Sequence, residues 1–122
     1  MTYNRREGRI SLELEIIRVG KDINAVFSGG DAPHIGSAVL AVPRASLADD
    51  KTTSSTSSVI NVPSHKDELI CRECAERISS ALQCVCVCTG GFHCDGLSEE
   101  EIGRVLELAR ELTEEAVRDG LR

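Results

Sequence analysis

Aromatic side chains are nearly missing: the chain has no tryptophan, one tyrosine (Tyr3) and two phenylalanines (Phe27 and Phe92). Its core must therefore be assembled from Val, Ile, Leu, Ala and Cys, and few rings are on hand to stack against a planar ligand. No apolar run approaches the roughly 20 residues that cross a bilayer. The opening residues, Met1-Thr2-Tyr3-Asn4-Arg5-Arg6-Glu7, lack the apolar segment of a secretory signal, which makes cytoplasm the expected location. Basic excess is also missing. The formal charge is −6, and no stripe stands out among the 14 Lys and Arg, which argues against a nucleic-acid surface. At 122 residues the chain is long enough for one core and is read as a single domain, 1–122.

Cysteine, by contrast, is plentiful. All six (71, 74, 84, 86, 88 and 94) crowd into one part of the chain. In a cytosolic setting, paired bridges are not expected. Cys84, Cys86 and Cys88 alternate with Gln83, Val85 and Val87, so their thiols share one face of a strand. Cys71-Arg72-Glu73-Cys74 has CxxC spacing but lies in a helical pattern, with no second CxxC to complete a zinc knuckle. Small buried hydrophobes are the simplest reading; a thiol metal site or redox pair is the alternative.

Hydrophobic periodicity sets out the elements. Residues 9–18 alternate, with Ile10, Leu12, Leu14 and Ile16 on one face and Ser11, Glu13 and Glu15 on the other. Gly20-Lys21-Asp22 turns this strand into a second over 23–28. A third, 35–42, is apolar on both faces and is ended by Pro43; a fourth, 59–62, stops at Pro63. Between them, 44–58 is polar and low in complexity, which reads as a flexible hairpin loop, either disordered or a lid. Ser64 caps a helix with Asp67 in the place of a capping-box acid, and Ile70, Cys74, Ile78 and Ala81 form its apolar stripe. A fifth strand covers 85–89 and ends at Gly90-Gly91. Ser98-Glu99-Glu100-Glu101 then opens a last helix, with Ile102, Val105, Leu106, Ala109, Leu112 and Ala116 inward.

The order β-β-β-β-α-β-α predicts an α+β domain: a mostly antiparallel five-stranded sheet with two helices on one face. Strands apolar on both faces then leave one face uncovered, and a homodimer is the expected remedy.

The chain's three histidines are His34, His65 and His93. If strands two to four form a meander, the glycine turn Gly29-Gly30-Asp31-Ala32-Pro33-His34 and the segment at His65 share a rim. A right-handed crossover through the first helix brings Gly90-Gly91-Phe92-His93 to the same rim. Three imidazoles there could hold a metal ion and leave positions open to a ligand. Lys66 and the helix N-terminus offer positive charge to an anion. The double glycines allow close approach, and Asp31, Asp67 and Asp95 could steady the imidazoles. Three unrelated surface or capping histidines are the plainer alternative.

The blocks Gly29-Gly30-Asp31-Ala32-Pro33-His34-Ile35-Gly36-Ser37-Ala38-Val39, His65-Lys66-Asp67, and Gly91-Phe92-His93-Cys94-Asp95 followed by Glu100-Glu101-Ile102 resemble the LpdD-type prenylated-flavin chaperones. These are the small D subunits associated with gallate- and hydroxybenzoate-type decarboxylases of the UbiD family. The resemblance spans most of the chain. It implies a fold similar to proteasome-assembly-chaperone domains. It also implies non-catalytic, metal-assisted binding of prenylated FMN (prFMN), in its reduced form, with delivery to the apo-decarboxylase. Carried over by position, His34, His65 and His93 would be metal-linked, with Gly29, Gly30, Asp31, Lys66 and Gly91 beside the flavin or its phosphate. Cys94 stands where the family leads one to expect an aliphatic residue. Two other readings stay open: a small metal-dependent hydrolase using the three histidines, and an assembly chaperone that binds no ligand.

Overall fold

The structure, a computed structural model, describes residues 1–49, 51–63 and 66–122, with Lys66 described by its backbone alone. His65 and Ser64 lie outside the described residues, and so does the side chain of Lys66. The elements in chain order are β1 (Thr2–Glu7), β2 (Ile10–Val19), β3 (Asp22–Gly30), β4 (Ser37–Ala45), β5 (Thr53–Asn61), α1 (Lys66–Leu82), β6 (Cys86–His93) and α2 (Glu99–Gly120). The α+β class is as expected.

The sheet differs from the expected one in number and connectivity. It has six strands in the order β1-β2-β3-β6-β4-β5. β1 was not foreseen because Thr2–Glu7 buries only Tyr3 and so carries no alternating apolar signal. The expected meander is broken: β6 inserts between β3 and β4, parallel to the former and antiparallel to the latter, so the sheet is mixed. β5 and β6 run the same way, as the crossover through α1 requires, but β4 lies between them.

Strand limits shift too. Most of 44–58 is not loop: β4 runs on to Ala45 and β5 begins at Thr53, paired from Ala45↔Thr53 to Ser37↔Asn61. Pro43 therefore lies within β4 rather than ending it. Pairing with β6 stops at Ala41, and a residue without an N–H is tolerated where the strand has a partner on one side only. β6 likewise continues through Gly90-Gly91 to His93. Gly90 has φ +132, and a Cβ there would sit 1.7 Å from the Phe27 carbonyl oxygen, so the parallel ladder requires glycine at this point.

The helices cover one face. α1 packs on β4, β5 and β6, and α2 on β1 and β2. Between helices and sheet lie Leu12, Leu14, Phe27, Val39, Ile78 and Leu112, all buried, with the three thiols of Cys84, Cys86 and Cys88 on the same covered face. Leu108 belongs to this core in addition to the expected stripe of α2, whereas Ile102 and Leu106 are half-buried. On the other face Leu40, Val42 and Ile60 are 41%, 45% and 77% exposed. Among the described residues, no helix is long and apolar enough to cross a membrane.

Candidate functional site

Strand direction determines what meets at the rim. β3 and β6 run parallel and end side by side, Gly30 opposite His93, while β4 starts at the same edge with Ser37 opposite Gly90. The segment 31–36, which joins β3 to β4, must therefore pass over the end of β6. Two backbone bonds fasten it there: the Asp31 N–H donates to the His93 carbonyl at 2.8 Å, and the Gly36 N–H donates to the Gly90 carbonyl at 2.9 Å.

This strap delivers His34 to the first turn of α1. Its Nε2 lies 2.9 Å from Asp67 Oδ2 and its Nδ1 3.2 Å from the Ala32 carbonyl oxygen. Each ring nitrogen of His34 thus has an oxygen within hydrogen-bond distance. Asp67 is 1% exposed, and its Oδ1 also accepts from the Phe92 N–H at 3.0 Å. A buried carboxylate is tolerated because it is bonded in this way. His34 itself is 38% exposed, so the pair couples the interior to the surface.

Two glycines make room for the carboxylate. A Cβ on Gly36 would lie 2.0 Å from Asp67 Oδ2, and one on Gly91 would lie 2.9 Å from the same oxygen and 3.0 Å from His34 Cε1. Gly30 is filled in a different way: its Cβ position is 2.1 Å from the His93 carbonyl oxygen. The spaces left by these missing side chains are thus taken by the protein itself.

His93 stands next to His34, ring centroids 6.3 Å apart and nearly perpendicular, and its Nε2 is 2.9 Å from Asp95 Oδ1. Of the three carboxylates expected to steady imidazoles, Asp67 and Asp95 do so. Asp31 instead accepts from the Cys94 thiol at 3.4 Å. Burial, and then this contact with Asp31, pushes the Cys94 thiol above its ordinary pKa.

An imidazole with a carboxylate on one nitrogen resembles the arrangement around metal-ligating histidines. Even so, among the described residues no group of three His, Cys, Asp or Glu side chains is placed to hold an ion. His65, the third expected ligand, lies outside them. The described residues therefore supply two imidazoles and their carboxylates, which do not by themselves make a metal site.

The other cysteines lie deeper. All six are free and buried. Hydrogen bonding to Cys71 and Cys74, and then burial, keeps the Cys88 thiol well above its ordinary pKa; burial does the same for Cys86. Neutral thiols packed between α1 and β6 behave as small hydrophobes.

Residues 6–120 match the family described as "Prenylated flavin chaperone LpdD-like domain". The chain belongs to this family. Protein LpdD of Lactiplantibacillus plantarum is 25% identical over 124 residues, covering 95% of this chain and 82% of that protein. A chain from a chaperone complex for yeast 20S proteasome assembly aligns with a TM-score of 0.61 at 11% identity, over 100% of this chain and 98% of that one. That likeness is one of fold alone, and it agrees with the fold expected from the sequence. Within the LpdD-like domain, the strap and the residues beneath it are the chemically most distinctive feature described: a buried carboxylate, two exposed imidazoles and glycines packed against both.

Proposed function

We propose that this LpdD-like domain binds prenylated FMN, in its reduced form, at the rim formed by His34, Asp67 and His93, and passes it to an apo-decarboxylase of the UbiD family without catalysing a reaction. The observation that carries the reading is the placement of His34, held by a buried carboxylate on a glycine-lined bed yet open to solvent, in a domain of a flavin-chaperone family. A binding group needs this kind of fixed orientation. A general base needs a free nitrogen facing a nucleophile, and both ring nitrogens of His34 face acceptors. The chemistry of the flavin then belongs to the client enzyme, and the residues here only bind and orient.

The proposal has two further parts, a divalent ion and a homodimer. His34, His65 and His93 as ligands of a divalent ion follow from the family resemblance and from strand direction; His34 could offer Nδ1 only by giving up its contact with Ala32. A homodimer through the open sheet face is supported by the exposed Leu40, Val42 and Ile60.

Anaerobic titration of metal-stripped protein with reduced prFMN, with and without a divalent metal, tests the reading. Binding that is lost in His34→Ala supports the site. Binding that does not respond to metal removes the three-histidine ion and keeps the flavin. No binding under either condition overturns the flavin reading.

A further inference from the structure

A second feature opens at the same rim, on the open face of the sheet that also carries Leu40 and Ile60, but over β1–β3 on the other side of β6. It is a depression of about 390 Å³ whose lining includes Arg6, Ser11, Glu13, Ser28, Gly30 and Pro33. Strand register ties it to the histidines. Gly30 is opposite His93, Leu12 is opposite Gly29 so that Ser11 takes the next position beside Gly30, and Arg6 is opposite Ser11. His93, Gly30, Ser11 and Arg6 thus form one row across β6, β3, β2 and β1, and cross-strand partners share a face of the sheet. At about 4.8 Å per strand the row spans roughly 14 Å, comparable with the reach of a flavin from its ring to the end of its side chain.

The arginines at this corner differ in one respect. Arg5 is paired with Glu111 and Glu115, and Arg9 with Glu101. Arg6 is exposed and has no carboxylate partner among the described residues, although Glu13 lines the same depression. Its planar fork is left available for a group that accepts two parallel N–H bonds, as a phosphate monoester does. Ser11, Ser28 and Glu13 offer hydroxyls and a carboxylate suited to a polyol.

We propose that this depression is the subsite for the ribityl phosphate of the flavin, with Arg6 bonding the phosphate at the far end of the row from His93. The proposal rests on the flavin reading above and adds to it a site and a residue on β1.

The test compares reduced prFMN with its dephosphorylated counterpart, prenylated riboflavin, on the full chain and on Arg6→Ala and Arg6→Lys. Loss of a charge-assisted bidentate contact is expected to weaken the phosphorylated flavin about tenfold or more. The dephosphorylated form should bind both proteins alike, and Arg6→Lys should recover part of the loss. An Arg6→Ala chain that binds both flavins as the unaltered chain does, or that weakens on both equally, overturns the subsite while leaving the flavin reading in place. An unaltered chain that binds neither flavin overturns both.

Discussion

Both helices begin with the same local signal, a serine followed three residues later by an acid, and the two acids serve different ends. At α2 the signal closes as a capping box. Ser98 accepts from the Glu101 N–H, the Glu101 carboxylate accepts in turn from the Ser98 N–H, and Arg9 reaches this half-buried carboxylate from the β1–β2 turn. At α1 the acid is Asp67, and its described bonds leave the helix altogether, for the Phe92 N–H on β6 and for His34 on the strap. One carboxylate is a cap in water; the other is a buried anchor for an exposed imidazole. The four-residue pattern cannot separate the two. What separates them is the surrounding glycine, because only at Asp67 do Gly36 and Gly91 withhold side chains from the space around the carboxylate.

The largest expected effect sets the two acids against each other. Asp67→Ala strands the Phe92 N–H in the interior and frees the His34 ring, which should cost about 1–3 kcal/mol of stability from the unmet donor alone and abolish flavin binding. Glu101→Ala removes a half-buried group at the surface whose Arg9 partner water can satisfy, so it should leave binding intact and lower stability far less. Urea unfolding and flavin titration of both variants measure the contrast, and equal losses would dissolve the distinction.

Next in size are substitutions that keep both carboxylates and alter only the glycines. Gly36→Ala forces a methyl to within 2.0 Å of Asp67 Oδ2. The neighbour is a fixed, buried side chain, so overpacking of about 1–3 kcal/mol is expected, with weaker flavin binding. Gly103 lies in α2 one turn past its cap and has nothing within 4 Å of a Cβ position. Gly103→Ala should therefore stabilise the chain by up to about 1 kcal/mol through helix propensity. Melting temperatures moving in opposite directions would confirm that the two helix starts sit in different environments; parallel shifts would count against it.

The parts of the fold that show in the sequence are those with a local pattern. Ile10, Leu12 and Leu14 announce β2 by alternation, and Ser98 with Glu101 announces α2. Strands apolar on both faces mark β4 and β6 as interior to the sheet. β5 does not announce itself at Thr53, because an edge strand that keeps one side in water can be written in Ser and Thr and so resembles a loop. Nor does a local pattern choose pairing partners: β6 next to β3 is decided by how α1 crosses the sheet. The rim was nevertheless within reach, since it depends on strand direction more than on strand order. His34 and His93 meet there by that logic. The burial of Asp67 was beyond it, because that requires knowing that Gly36 and Gly91 face the same oxygen.

The smallest effect is the pH dependence of the α2 cap. Arg9, and then the Ser98 N–H, hold Glu101 down to about 2 from its ordinary 4.5. A carboxyl whose pKa is lower folded than unfolded binds protons more readily when unfolded, so its contribution is complete above the unfolded value and is lost as the pH falls toward the folded one. The stability gap between the unaltered chain and Glu101→Gln should therefore be level above about pH 5 and should close between about 4.5 and 2. Salt should narrow it, because the pair lies in water. An Asp67→Asn series measured beside it sharpens the comparison: its loss should respond little to salt at neutral pH, since the carboxylate it removes is screened by protein and not by solvent. A salt-sensitive Asp67 would make that helix start, too, a surface cap.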